Sequence, residues 1–278
     1  MTPIEFFAAA FAISVAAGLL GSLLGLGGGI VVIPALTLLL GVDIRYAIGA
    51  SIVSVIATSS GAAAAYVRER MTNLRVAMFL ELATTSGAIT GAYVAGLIST
   101  RWLYLVFGLV MGYSALMMFR KRRSALAAEV PPDALADRLH LHESYFDEAV
   151  GEDIAYRVAH PRMGLGLMYI AGIVSGLLGI GSGALKVPAM DLAMRLPIKV
   201  STATSNFMIG VTAAASAGVY FARGDINPFI AAPVAAGVLG GATAGSRLLG
   251  RIDSAVIRVI FVAVLLWVSA EMLLKGVH

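Results

Sequence analysis

An all-α polytopic membrane protein with two inverted-topology repeats is the fold class this sequence predicts. Each repeat is expected to hold a glycine-broken re-entrant or short helix pair plus three spanning helices. Three observations carry the expectation. Hydrophobic residues make up 59% of the 278-residue chain and charged residues 13%, where a soluble domain shows roughly 45–50% and about 25%. Apolar runs recur along the chain at lengths suited to a bilayer. A shift of 154 residues then lays one half of the chain on the other.

A bilayer core of about 30 Å takes roughly 20 helical residues at about 1.5 Å each. The first run, 4–24, carries an acidic Glu5 and no basic segment before it, so it is expected to stay in the membrane rather than act as a signal peptide. Runs 47–67, 76–98 and 102–119 complete the first half, and 164–178, 200–222, 228–249 and 255–274 repeat the theme. Two shorter runs, 30–40 and 184–194, follow glycine clusters. Eleven residues of helix reach only about 16 Å, half the core, and irregular backbone at that depth is tolerated where it is buried in protein or faces a cavity. A re-entrant hairpin is therefore favoured over two crossings.

Segment 120–163 separates the halves and gives a division into a first transmembrane repeat (1–119), a connector (120–163) and a second repeat (164–278). The connector holds 7 of the 20 basic and 8 of the 16 acidic residues. The cluster Arg120, Lys121, Arg122, Arg123 directly after an apolar run assigns it to the cytoplasmic side. Arg68, Arg70, Arg75, Arg195, Lys199, Arg247 and Arg251 then fall inside, and Arg45, Arg101, Arg223 and Lys275 outside. Both termini are expected in the periplasm or exterior. Within the connector, 144–159 alternates apolar and polar residues around Gly151, consistent with a β-hairpin or a short helix.

The composition also excludes whole classes of activity. No cysteine is present, which removes disulfides, thiolate nucleophiles and Cys-ligated metals. His140, His142 and His160 all lie in the connector, and no catalytic constellation, metal site or cofactor motif emerges. The formal charge of +4 comes from Lys and Arg bordering apolar runs, so nucleic acid is not an expected partner. The expected partners are a small anion and the lipid bilayer, and a homo-oligomer is compatible with the sequence.

The internal repeat locates a candidate site. GLGGG at 25–29 meets GIGSG at 179–183, Pro34 meets Pro188, Ser51 meets Ser205, Thr58 meets Thr212, Tyr66 meets Tyr220 and Asn73 meets Asn227. If the orientation above holds, one copy starts outside and the other inside, which makes them inverted, as in many secondary transporters whose broken helices form the substrate site. Gly27, Gly28, Gly29, Gly181, Ser182 and Gly183 would then present backbone amides to an anion. Close helix packing is the alternative use of glycine, and it is preferred for Gly87, Gly91, Gly241 and Gly245.

Lys186 lies three residues past Gly183, where the first copy has Val32. An intramembrane cation calls for a partner, which is either the substrate anion or Asp191, unless the side chain snorkels. Glu81, with Ala235 in its place in the second copy, is either the carrier of a coupling proton or the partner of Arg75. Ser51, Ser205 and Asn206 sit near helix starts and can donate to oxyanions, or bond to neighbouring backbone.

With these residues in view, the sequence resembles the sulfite exporter TauE/SafE family of membrane transporters. The resemblance rests on GLGGG with Pro34, on its echo GIGSG with Pro188, and on the two-copy layout. It implies secondary transport of small sulfur-containing anions, such as sulfite, sulfoacetate or other organosulfonates, across the bacterial inner membrane, proton-coupled and often as export. Ser182 and Lys186 depart from the first copy, so the two half-sites differ chemically. A passive anion channel, or a non-transporting membrane subunit docking a partner through the connector, are the alternative expectations.

Overall fold

The computed structural model describes all residues except 1, 25–26, 69–70, 121–132, 148–151, 249–253 and 278. Gly25, Leu26, Arg70, the basic residues after Arg120, Gly151, Gly250 and Arg251 thus lie outside the described residues.

The chain folds as a helical bundle in the order α1 Pro3–Leu24, α2 Gly29–Pro34, α3 Ile44–Arg68, α4 Leu74–Leu97, α5 Thr100–Arg120, α6 Ala134–Arg138, β1 Glu143–Asp147, β2 Glu152–Tyr156, α7 Pro161–Leu178, α8 Gly183–Pro188, α9 Ile198–Ala222, α10 Pro228–Leu248 and α11 Ser254–Val277. Every long apolar run is helical. Pro3–Ser22, Pro161–Leu178 and Pro228–Gly245 are each long and apolar enough to cross a membrane. Large apolar side chains point outward along the bundle, including Leu82, Leu97 and Phe221, each at least 75% exposed. Such a surface suits lipid rather than water.

Local chemistry explains the boundaries. Asn73 caps α4 by accepting from the Val76 amide at 2.9 Å. The α7 helix opens at Pro161, ahead of the apolar run, because proline at the first helical position has no amide to leave unsatisfied. Proline also shapes both short arms. Pro34 and Pro188 sit at the ends of α2 and α8, and each is followed by a five-residue π turn, Ala35–Leu39 and Ala189–Ala193. A proline removes one amide from the i→i−4 ladder, and a widened turn absorbs the defect.

The packing is reciprocal. Helix α1 lies along α10 and α7 lies along α4, while α5 packs on α11 and α3 on α9. Missing side chains permit the first two contacts: a Cβ on Gly91 would collide with the Ile173 carbonyl, and one on Gly241 with the Val15 carbonyl. Helix α3 also packs on α10, and α9 on α4.

The connector forms an antiparallel hairpin, with Glu143 opposite Tyr156 and Asp147 opposite Glu152. Its apolar side chains join a core of their own. Leu141, Tyr145 and Val158 bury with Val76 and Leu80 of α4, Met190 and Met194 at the π turn after α8, and Val200 and Met208 of α9. The hairpin therefore rests on the foot of the second glycine-broken arm.

Candidate functional site

The two glycine breaks meet. A Cβ on Gly29 would stand 3.2 Å from the Gly179 carbonyl oxygen, and one on Gly27 would stand 3.6 Å from the Ile180 carbonyl oxygen. Ser51 of α3 stitches them together, its hydroxyl donating to the Gly179 carbonyl at 2.7 Å in a fully buried setting. Val55 of α3 and Ile209 of α9, equivalent under the 154-residue shift, both touch Gly27 and Gly181. Gly27, Gly179 and Gly181 have φ of +75°, +65° and +74°, values that suit glycine and strain other residues. Ser182 carries the same left-handed conformation at φ +54°, an uncommon arrangement for a side-chain-bearing residue.

Helices α2 and α8 contribute little dipole, since each has only six residues before its π turn. Side chains supply most of the polarity. Ser182 Oγ, Ser205 Oγ and Asn206 Nδ2 are buried and have no hydrogen-bond partner among the described residues. Buried polar atoms of this kind are costly unless something satisfies them. Gly183 follows Ser182 as the first residue of α8, and Gly28 lies against Val238 and near the Thr58 hydroxyl.

Lys186, on α8 one turn beyond Ser182, is completely buried. Its ammonium donates to Thr212 Oγ1 at 2.6 Å and stands 4.0 Å from Glu81 Oε2. Glu81 Oε1 lies 2.6 Å from the Thr212 hydroxyl and accepts from Thr85 at 3.1 Å, whereas Oε2 has no hydrogen-bond partner among the described residues. Thus α4, α8 and α9 bring one cation, one anion and two hydroxyls together. Arg75, the local partner considered for Glu81, instead donates to the His140 carbonyl at 3.0 Å.

The site has no counterpart in the other half: Lys186, Thr212 and Glu81 correspond to Val32, Thr58 and Ala235. Thr58 simply bonds the Ser54 carbonyl at 2.8 Å. Of the candidates, Ser51, Gly27, Gly29 and Gly181 gather at the breaks. Lys186 and Glu81 gather at Thr212. Ser205 and Asn206 lie on α9 within the buried interior. Val55, Ile209 and Thr85 were not singled out from the sequence. The first two are apolar residues inside apolar runs, and only their equivalence across the repeat distinguishes them.

A further polar junction ties the connector to these helices. Asn73 Nδ2 donates to the Leu141 carbonyl at 2.9 Å and to Tyr156 Oη at 2.8 Å, and the Asn73 amide donates to Thr204 Oγ1 at 3.1 Å. Burial pushes the Tyr156 phenol well above the ordinary tyrosine range. In the connector, His142 Nδ1 accepts from the Val158 amide at 3.0 Å and Nε2 faces Asp137 at 2.8 Å. That hydrogen bond lowers the Asp137 carboxyl. No group of three or more His, Asp or Glu suited to a metal occurs among the described residues.

A lipid-facing bundle with interior helix breaks and a buried charged pair defines a multi-pass membrane transporter. Residues 10–272 match the Sulfite exporter TauE/SafE family, and the chain belongs to it. It is a transport protein and not an enzyme. It is 28% identical over 268 residues to the probable membrane transporter protein YunE of Bacillus subtilis (strain 168), covering 94% of this chain and 95% of that one. A probable membrane transporter protein of Xylella fastidiosa (strain Temecula1 / ATCC 700964) is 29% identical over 241 residues, covering 85% and 84%. Another from Xylella fastidiosa (strain 9a5c) is 32% identical over 197 residues, covering 69% and 67%. No solved structure matches the chain.

Proposed function

We propose that the protein is a proton-coupled secondary transporter that moves small sulfur-containing anions, such as sulfite, sulfoacetate or other organosulfonates, across the bacterial inner membrane, as an exporter. The observation that carries this reading is the meeting of the two glycine breaks in an interior that also holds the fully buried Lys186 and three buried polar atoms, Ser182 Oγ, Ser205 Oγ and Asn206 Nδ2, with no hydrogen-bond partner among the described residues. Gly27, Gly28, Gly29, Ser51, Gly181, Ser182, Gly183, Lys186, Ser205 and Asn206 hold the anion, and Glu81 carries the proton. A sulfonate or sulfite group offers three oxygens, which matches a site with several donors and one cation.

Transport proceeds by alternating access between two inverted repeats, 1–119 and 164–278, joined by a cytoplasmic connector, 120–163, with both termini outside. The support for the repeats is the reciprocal packing of α1 on α10 and α7 on α4, with α3–α9 and α5–α11 as the paired elements between them. Thermal-shift binding of sulfite, sulfoacetate, taurine and sulfate to the purified protein in detergent tests the reading. At least one of these anions is expected to stabilise the wild type and to lose that effect in Lys186→Ala. Absence of stabilisation by any of them would refute the site.

A further inference from the structure

We propose that Lys186, Thr212 and Glu81 form a proton–anion exchange element: the anion takes the place of Glu81 at the Lys186 ammonium as a proton neutralises the displaced carboxylate. The inference rests on the anion-transport reading and specifies how that site couples its two ions.

The geometry supplies each part. Lys186 is fully buried, and among the described residues its ammonium has one hydrogen-bond acceptor, Thr212, with Glu81 Oε2 at 4.0 Å, beyond hydrogen-bond reach. An ammonium has three donors, so positions remain for an oxyanion. Glu81 Oε2 is buried without a hydrogen-bond partner among the described residues, so the carboxylate charge is poorly satisfied, and an added proton on Oε1, beside Thr212, neutralises it. The ion pair is neutral as a unit. An anion arriving alone would leave a net negative charge in a site of low dielectric, and a proton alone would leave a net positive one; both are strongly disfavoured. Arriving together, they preserve neutrality.

Thr212 makes the exchange possible without leaving an orphan. Its hydroxyl has one proton and two acceptors in reach, Glu81 Oε1 at 2.6 Å and the Met208 carbonyl at 2.9 Å. Facing an ionised Glu81, it donates to the carboxylate. When Glu81 is protonated, the hydroxyl turns to Met208 and its free lone pair accepts from the acid, while Lys186 remains its donor. One proton moves from solvent to the carboxylate: an O–H bond of hydronium breaks, leaving water, as the carboxyl O–H bond forms, and no electron transfer is involved.

Other titratable groups on the helices packed against α4 lie elsewhere. On α7, Arg162 stands at the helix start and Tyr169 Oη faces Thr90 at 3.5 Å. On α9, Lys199 stands at the helix start and Tyr220 donates to the Gly176 carbonyl at 2.7 Å. On α4 itself, Arg75 is engaged by His140. Because the other half carries Val32, Thr58 and Ala235, each chain has a single exchange element and moves one proton per anion. The movement of a monoanion is then electroneutral, with proton and anion travelling together, so export is driven by an outward anion gradient.

The test is proton uptake by the full-length protein in detergent on addition of sulfoacetate, isethionate or methanesulfonate. All three are fully ionised at neutral pH, so none takes up the proton itself. A weakly buffered solution with an indicator dye reads the uptake, and calorimetry reads the binding. About one proton per bound anion is expected, with affinity falling as pH rises, by up to about tenfold per pH unit for one linked proton. Glu81→Gln should bind the anion with no proton uptake and no such slope. Thr212→Val should weaken the coupling, and Thr212→Ser should restore it. Anion binding by the wild type without proton uptake would overturn the exchange element and leave anion transport standing. Failure of all three anions to bind would sink both.

Discussion

The strongest energetic consequence of the site is the dependence of Lys186 and Glu81 on each other. At their separation of 4.0 Å, two opposite charges attract by about 4 kcal/mol at an effective dielectric near 20. Removing either partner leaves the other buried and uncompensated, at a cost of about 3–5 kcal/mol. The double replacement Lys186→Met with Glu81→Gln leaves no charge behind. Its loss is therefore expected to fall short of the sum of the single losses by about 2–3 kcal/mol, within the range for contacting residues. Reversible urea unfolding of the four proteins in detergent, followed by circular dichroism, measures the cycle. Thermal melts offer a check, at roughly 2–4 °C per kcal/mol for a chain of this size. Losses that add to within about 0.5 kcal/mol would refute the pairing.

Further expectations follow from other contacts. Gly91→Ala forces a Cβ into the Ile173 carbonyl and should destabilise by about 1–3 kcal/mol, whereas Gly218→Ala meets nothing within 4 Å and should stabilise by about 0.4–1 kcal/mol; unfolding midpoints separate the two. Asn73→Ala removes a helix cap, worth about 0.5–2 kcal/mol, together with the Leu141 and Tyr156 contacts. It should raise hydrogen exchange in β1 and β2 while leaving α1 unaffected. Tyr156 binds its proton more tightly in the folded chain than in the unfolded one, so its contribution is complete below the ordinary value of 10.0 and is lost as pH rises above it. Tyrosinate absorbance should therefore grow together with hairpin undocking in alkali, and Tyr156→Phe should remove the coincidence.

Much of the architecture was legible because bilayer physics leaves few choices. Runs such as 76–98 and 200–222 appear as α4 and α9 with ends moved by only a few residues, since an apolar stretch of that length satisfies its own backbone only as a helix. The glycine clusters were legible through their duplication. The π turns after Pro34 and Pro188 were not, because the adjustment to a missing amide is decided by packing.

The charged pair shows the limit most clearly. Glu81 and Lys186 were each visible as an intramembrane charge needing a partner, and the nearby residues Arg75 and Asp191 were the apparent ones. The actual partnership spans the two halves and is mediated by Thr212, a contact that depends on α4 packing on α9. Alternation around Gly151 left the connector open between a hairpin and a short helix, and the hairpin's seat on Asn73 depends on tertiary contacts that no local pattern encodes.

The most direct test of the convergent site is an electron cryomicroscopy map of the full-length protein in a lipid nanodisc with sulfoacetate. Density for the anion is expected between residues 27–29 and 181–183, within hydrogen-bond reach of the Lys186 ammonium. Density confined to the periphery, or glycine breaks lying apart and facing lipid, would contradict it.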